Sequence, residues 1–353
     1  MSYAIDLSNT NTWVAGFNKS YKPTMFLRKN IFSGLETYLG DSVLMDYKKG
    51  SRSMAPFIVA GGNALVARDE FETKTYTPPM IEASRGVDGR RLQKRAFGEN
   101  PLNPLSGEER AAKIIAEDLK DLTDMIDRRI EWMCAQLLVN GSFTAAGYAS
   151  DGGKKIVDTI TLSGFTQKKT LSGTDLWSDK TADIYGQIND VGVQMRKNGN
   201  APTMMIANST TISYLLKNES LLKNKMIIPA DNANFGVIKP QVVDNTVVRY
   251  AVLMPGNLEV YGYDDCYKDD DGTVKPYIPD GCVVFTSKNV GKILAASITQ
   301  LMEDEEFHTY SGLYIPKQWS ERAGGHDQKF IRLASACVPM VADVDSFYTM
   351  KVL

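Results

Sequence analysis

Asp264, Asp265, Asp269, Asp270, Asp271 and Gly272 form the cluster in this sequence that most resembles a cation site. Read as a helix–loop–helix calcium loop, it puts Gly272 at position six. The first and twelfth ligand positions then fall on Tyr267 and Ile278, neither of which supplies a carboxylate. An Asp-Gly turn between two short strands accounts for the same residues. The histidines, His308 and His326, lie in different segments without a second imidazole at ligand spacing, which argues against a histidine zinc site. Cys134, Cys266, Cys282 and Cys337 are widely spaced, contain no C-x-x-C pair and have no local histidine base, so free thiols in a reducing compartment are expected. No nucleophile elbow, phosphate loop or dinucleotide fingerprint is present. The chain is therefore expected not to be an enzyme, with no catalytic residue, cofactor or metal assigned. Metal binding or catalysis at the 264–271 loop is the rival reading, and it requires calcium-dependent stabilisation.

Charge is the other chemistry available. Arg85, Arg90, Arg91, Lys94 and Arg95 form a basic run against only Asp88, whereas Glu303, Asp304, Glu305 and Glu306 form an acidic one. The basic run reads as a solvated or salt-bridged loop and the acidic one as a solvated face. The sharper expectation is that Arg90, Arg91, Lys94 and Arg95 meet an acidic surface of a neighbouring molecule, with Glu303 to Glu306 as one candidate. Over 353 residues the formal net charge is only -2, without the basic excess of a nucleic-acid or membrane-surface binder. No apolar run reaches the ~18 residues of a membrane span, and the N-terminus lacks the order of a signal peptide, so a cytoplasmic location is expected.

The element that must carry these groups runs from Ser106 to Gly141. Ser106 with Glu109 has the pattern of a capping box. Ile115, Leu119, Leu122, Ile126, Ile130, Met133 and Leu137 recur at steps of three and four, which predicts one apolar helix face. Glu117, Asp118, Lys120, Asp121, Asp124, Asp127, Arg128, Arg129 and Glu131 fall on the others, where they are expected to be exposed. Asn140 and Gly141 supply the stop. The result is a rod of roughly 50 Å at 1.5 Å per residue, several times the mean helix length.

Residues 1–28 are polar and aperiodic, and Trp13 and Phe17 suggest an arm that orders on a partner. Short strands are expected at Val43–Tyr47, Met54–Val59, Phe71–Tyr76 and Met80–Glu82, as a two-stranded excursion that needs a neighbouring surface. After the long helix, residues 147–177 read as a turn-rich connector. A second helix is expected over Asp183–Asn198 with Thr181 as a possible cap, then a buried strand at residues 203–207 and a short helix capped by Asn208 or Ser209. Further strands are expected at Val247–Met254, Leu258–Tyr263, Val274–Tyr277 and Cys282–Thr286, and the apolar C-terminus is placed inside a sheet.

This order resembles a tailed-phage major head protein of the lambda-type branch, the major capsid protein E family. The residues that carry the resemblance are Ala55, Pro56 and Phe57, then Leu137 to Gly141 at the helix end. The hairpin DDDGTVKPYIPDGCVVF and the tail YIPKQW followed by FIRLASACVPMVADVDSFYTMKV complete it, from about Phe26 to Val352. The resemblance implies an α+β fold of the Hong Kong 97 type and a structural, non-catalytic shell protein of the virion, assembled in the host cytoplasm. It implies an N-terminal arm at 1–28, the start of a peripheral domain at 29–47 and an extended loop at 48–95. The peripheral domain with its spine helix follows at 96–181, an axial domain at 182–290, a return to the peripheral domain at 291–334 and closing axial strands at 335–353. Its implied partners are further copies of the chain in pentamers and hexamers, a scaffolding protein, a portal, a decoration protein and packaged double-stranded DNA. The absence of a helical, charged prefix favours a separately encoded scaffold. Expected contacts between copies are Trp13, Phe17, Phe57, Phe71, Tyr76, Arg85, Arg90, Arg91, Lys94, Arg95, Glu303, Asp304, Glu305 and Glu306. An encapsulin-type compartment is the alternative within the same fold.

Overall fold

In the computed structural model the long helix spans Gly107–Asn140, one residue inside each predicted boundary signal. The capping box forms, with the Glu109 N–H donating to Ser106 Oγ (3.2 Å) and the Ser106 N–H donating to Glu109 Oε2 (2.9 Å). Gly141 ends the helix at φ 73, where a Cβ would also lie 2.3 Å from the Phe165 ring, so both backbone and packing demand glycine. The structure describes residues 22–47, 72–94, 99, 105–148, 154–218, 236–253, 257–301, 305–323 and 326–353.

Before that helix come α1 (Phe26–Asn30), β1 (Gly34–Thr37), β2 (Val43–Tyr47), β3 (Glu72–Tyr76), β4 (Met80–Asp88) and α2 (Gly89–Gln93), which makes the long helix α3. Next are β5 (Ser142–Tyr148), β6 (Lys154–Thr161), β7 (Lys168–Thr170), α4 (Ile184–Lys197), β8 (Met204–Ala207) and α5 (Ser209–Lys217). Strands then dominate, as β9 (Gly236–Asp244), β10 (Val247–Leu253), β11 (Leu258–Tyr263), β12 (Cys266–Lys268), β13 (Val274–Pro276) and β14 (Cys282–Thr286). The chain closes with β15 (Gly291–Ala295), β16 (Ser297–Leu301), β17 (Phe307–Ser311), β18 (Ile315–Ala323), β19 (His326–Val341) and β20 (Tyr348–Lys351).

One sheet has the order β7-β20-β14-β8-β11-β10-β9. Its central strand β8 is buried along its whole length. The two-residue period divides it: Met204 and Ile206 enter one core with α3, whereas Met205 and Ala207 enter a second core with Ile188 and Met195 of α4 and Ile212 of α5. The other sheet has the order β1-β15-β19-β18, with β4 on the second flank of β19. The length of β19 allows this, since residues 337–341 pair with β15 while residues 328–336 pair with β4.

Several expectations change. The basic run is not a loop: Arg85 lies in β4, which continues to Asp88, and Arg90 and Arg91 lie in α2. The 147–177 connector contains a regular strand, β6, that pairs back on β5, with Ile160 and Phe143 buried in the main core. Asp183, not Thr181, caps α4 by accepting from the Gly186 N–H. Asn208 caps α5 as expected. The expected strand at 54–59 lies outside the described residues, and β3 pairs with β2.

Candidate functional site

The first turns of α3 carry little apolar surface inward, and charge holds them. Asp118 is 0% exposed. Its Oδ2 accepts from Arg91 Nη1 (2.7 Å), and its Oδ1 accepts from Arg91 Nη2 (2.8 Å) and Arg85 Nη1 (2.9 Å). The geometry of the Arg91 pair is bidentate. Burial alone would raise the Asp118 carboxyl, but the two guanidinium groups hold it below the usual carboxylate range. Asp88 caps the start of α2, its Oδ1 accepting from the Arg91 N–H (2.7 Å). A second clamp lies one turn into the helix, where Arg110 grips the buried Glu99 through Nε (3.0 Å) and Nη2 (2.6 Å).

Further along α3, Asp124, Asp127 and Glu131 share a stripe on which the first and last are buried and Asp127 is half-buried. Glu131 is fully buried and caps a different helix. α1 starts after Met25, which has φ 57 and offers no side-chain cap. Glu131 Oε1 accepts from the Leu27 N–H (2.7 Å) and the Tyr263 hydroxyl (2.9 Å), and Oε2 accepts from the Arg28 N–H (3.1 Å). Burial pushes this carboxyl up to about 7 in spite of the three donors. It also raises the Tyr263 hydroxyl, with Glu131 adding to the effect. Asp265, after β11, accepts from the Thr24 N–H (3.4 Å), and burial raises its carboxyl too. Residues 24–28 are thereby fastened to both α3 and the seven-stranded sheet. Asp127 accepts from the Tyr314 hydroxyl, and Asp124, 7% exposed, has an Oδ2 without a hydrogen-bond partner.

These positions correct the expected outward faces of the helix. Asp118, Asp124 and Glu131 are buried, and Leu119, expected on the apolar stripe, is 38% exposed. Helical period assigns a residue to a face but not that face to a neighbour. On the Asp118 and Glu131 sides the neighbours are β4 with α2, and the α1 segment, which supply donors.

The acidic 264–271 cluster forms the expected turn. β12 and β13 pair with Cys266 opposite Pro276, and Gly272 takes φ 85. Asp269 and Asp271 engage Lys275, Asp270 lies 3.4 Å from Arg129, and Asp264 accepts from the Ser209 N–H at 2.8 Å. Among the described residues, no group of three His, Cys, Asp or Glu side chains is placed to hold a metal ion. All four cysteines are free, and Cys266 alone of them is exposed.

Of the expected contacts between copies, Trp13, Phe17, Phe57, Phe71, Arg95, Glu303 and Asp304 lie outside the described residues, as does the side chain of Arg90. Arg85 and Arg91 pair with Asp118 of their own chain while their side chains stay 37% and 39% exposed. Tyr76 donates to the Thr161 carbonyl oxygen (3.1 Å), also within the chain. Lys94, Glu305 and Glu306 are exposed. The acidic turn ends a hairpin, β16 with β17, in which Leu301 (41% exposed) stands directly opposite Phe307 (75% exposed). The expectations did not include this pair. The alternation of Ile298 and Gln300, buried, with Thr299 and Leu301, exposed, is the signal that could have found them.

Residues 10–352 match the sequence model of the family described as phage major capsid protein E. The chain is 20% identical over 335 residues to the major capsid protein of Escherichia phage lambda, covering 93% of each. It is 21% identical over 314 residues to the major capsid protein of Enterobacteria phage P21, covering 88% of this chain and 89% of that one. Among solved structures it resembles one described as a prophage capsid protein of Escherichia coli CFT073. The TM-score is 0.62 at 16% identity, covering 93% of this chain and 92% of the other. It also resembles the mature capsid of bacteriophage PhiM1, with a TM-score of 0.50 at 9% identity, covering 95% and 89%. At these identities the structural likeness is one of fold.

Proposed function

Since the chain belongs to the phage major capsid protein E family and has the Hong Kong 97 type fold, we propose that its copies close into pentamers and hexamers of an icosahedral head around double-stranded DNA. The family match over residues 10–352 carries this reading. The uncovered apolar side chains support it: Leu39, Phe307, Val242 and Val274 are 89%, 75%, 72% and 69% exposed. A subunit that buries flat surfaces against several copies of itself leaves such groups for the assembly, and closed symmetry multiplies modest contacts. A net charge of -2 suits a container that holds DNA without neutralising its phosphates.

In this reading residues 1–28 are an arm along a neighbouring copy and residues 48–95 are the extended loop. The segments 29–47, 96–181 and 291–334 form the peripheral domain with α3 as its spine, and 182–290 with 335–353 form the axial domain. A scaffolding protein and a portal direct assembly in the host cytoplasm, a decoration protein binds the finished shell, and the protein has no catalytic role. Lys94 and Glu305, one from each charge run and both exposed, support a charge contact between copies. Electron microscopy with size-exclusion chromatography of the purified chain tests the reading. Icosahedral or tubular particles are expected, and a persistent 39.1 kDa monomer under all assembly conditions overturns it.

A further inference from the structure

The hairpin of β16 and β17 has two unlike faces. Ile298 enters the main core, and the Gln300 side chain accepts from Arg332 Nη2 (3.1 Å) and donates to the Pro316 carbonyl (3.4 Å). The opposite face carries the Thr299–Thr309 hydroxyl pair (2.8 Å) and, beside the acidic turn, Leu301 with Phe307. Because Gln300 holds its side of the hairpin against β18 and β19, strand alternation turns Leu301 and Phe307 away from their own chain. An apolar pair left uncovered at a hairpin tip is a surface for a partner. Tip against tip would bring two acidic turns together, so the partner surface is a different one, with a cationic edge.

Such a surface lies on the face of β18, β19 and β4 turned away from α3. The pairing register puts Trp319, Phe330 and Gly86 in one row across the three strands. The two rings stack, with centroids 5.2 Å and planes 14° apart. A Cβ on Gly86 would lie 3.0 Å from the Phe330 ring, so glycine leaves the row flat. Lys317 and Arg332 stand opposite each other in the next row. Arg332 is held by Glu82 (3.2 Å), whereas Lys317 makes no ion pair among the described residues. Resting on the reading that copies of the chain assemble, we propose that Leu301 and Phe307 of one copy dock on the Trp319–Phe330 row of the next, with the acidic turn toward Lys317. The contact is head-to-tail, so its repetition closes a ring. An aromatic centre with charged groups at the rim is the arrangement that concentrates binding energy.

Size-exclusion chromatography and electron microscopy of the full chain at graded concentrations test it. Leu301→Ser with Phe307→Ser changes exposed side chains alone. The subunit should keep its circular dichroism and urea midpoint, while the concentration needed for particles rises at least about tenfold. Lys317→Glu should raise it about threefold, and adding Glu305→Lys should restore it. With p-benzoylphenylalanine in place of Phe307, irradiation of particles mixed from light- and heavy-nitrogen copies should link the tip to peptides of the other copy that contain Trp319 or Phe330. A native chain that stays monomeric overturns the assembly reading itself. Native-like assembly of the serine variant, or links to any other segment, including the tip of a second copy, overturns this contact alone.

Discussion

From Leu122 onward α3 carries eleven of its thirteen buried residues, with Ile126, Ile130, Cys134, Leu137 and Leu138 all 0% exposed, whereas up to Asp121 it buries only Ile114 and Asp118 and touches the protein through one small apolar cluster, Ile115 against the main core and two carboxylate clamps. The two halves share a single continuous ladder, but eight of the fifteen residues up to Asp121 are charged against five of the nineteen after it. What differs is what each half can exclude from water. Apolar burial stabilises in proportion to area and tolerates no polar intruder, while a clamp is directional, screened by salt and replaceable. A long helix can thus be a core element at one end and an adjustable strut at the other.

Ile126→Asp strikes the packed half hardest. It places a carboxylate without a donor in the main core, and no soluble folded chain is expected by circular dichroism or gel filtration, a cost of more than about 4 kcal/mol.

Next is Glu131→Gln, which tests the buried polar group in that same half. The folded-state carboxyl sits near 7, above its unfolded value, so the folded protein holds its proton more tightly. The stability this group contributes is complete below the unfolded value of about 4.3 and is lost as pH rises to about 7. The glutamine variant lacks that loss. Relative to the native chain it should gain on the order of 3 kcal/mol between pH 4.5 and pH 8, measured as the difference of urea midpoints. A constant difference across that range would mean that the three donors keep Glu131 ionised throughout.

Ser106→Ala removes the cap of the strut half and should cost about 1 kcal/mol, confined to exchange of the first turns. Leu119→Ser is the smallest change. At 38% exposed it should stay within about 0.5 kcal/mol of the native chain by urea unfolding, in contrast with Ile126 two turns along the expected stripe. A cost above 2 kcal/mol would return Leu119 to the core and erase the distinction between the halves.

Local signals were legible in the residues. The capping box, the Gly141 stop, the Asn208 cap and the continuously apolar β8 strand all depend on neighbours within a few positions. Sites of charge were less legible. The basic run reads from composition as an outward patch, yet Arg85 and Arg91 close onto Asp118, 33 and 27 residues away. Glu131 reads as one more surface acid because its donors come from Leu27 and Arg28, 104 and 103 residues earlier.

The sequence by itself determined that α3 exists, where it starts and stops and which residues share a face, because those properties follow from dihedral preference, capping and the 3.6-residue period. Only the tertiary structure decided which of its acids are buried. Burial of a charge depends on donors delivered by other elements, and periodicity carries no information about distant partners.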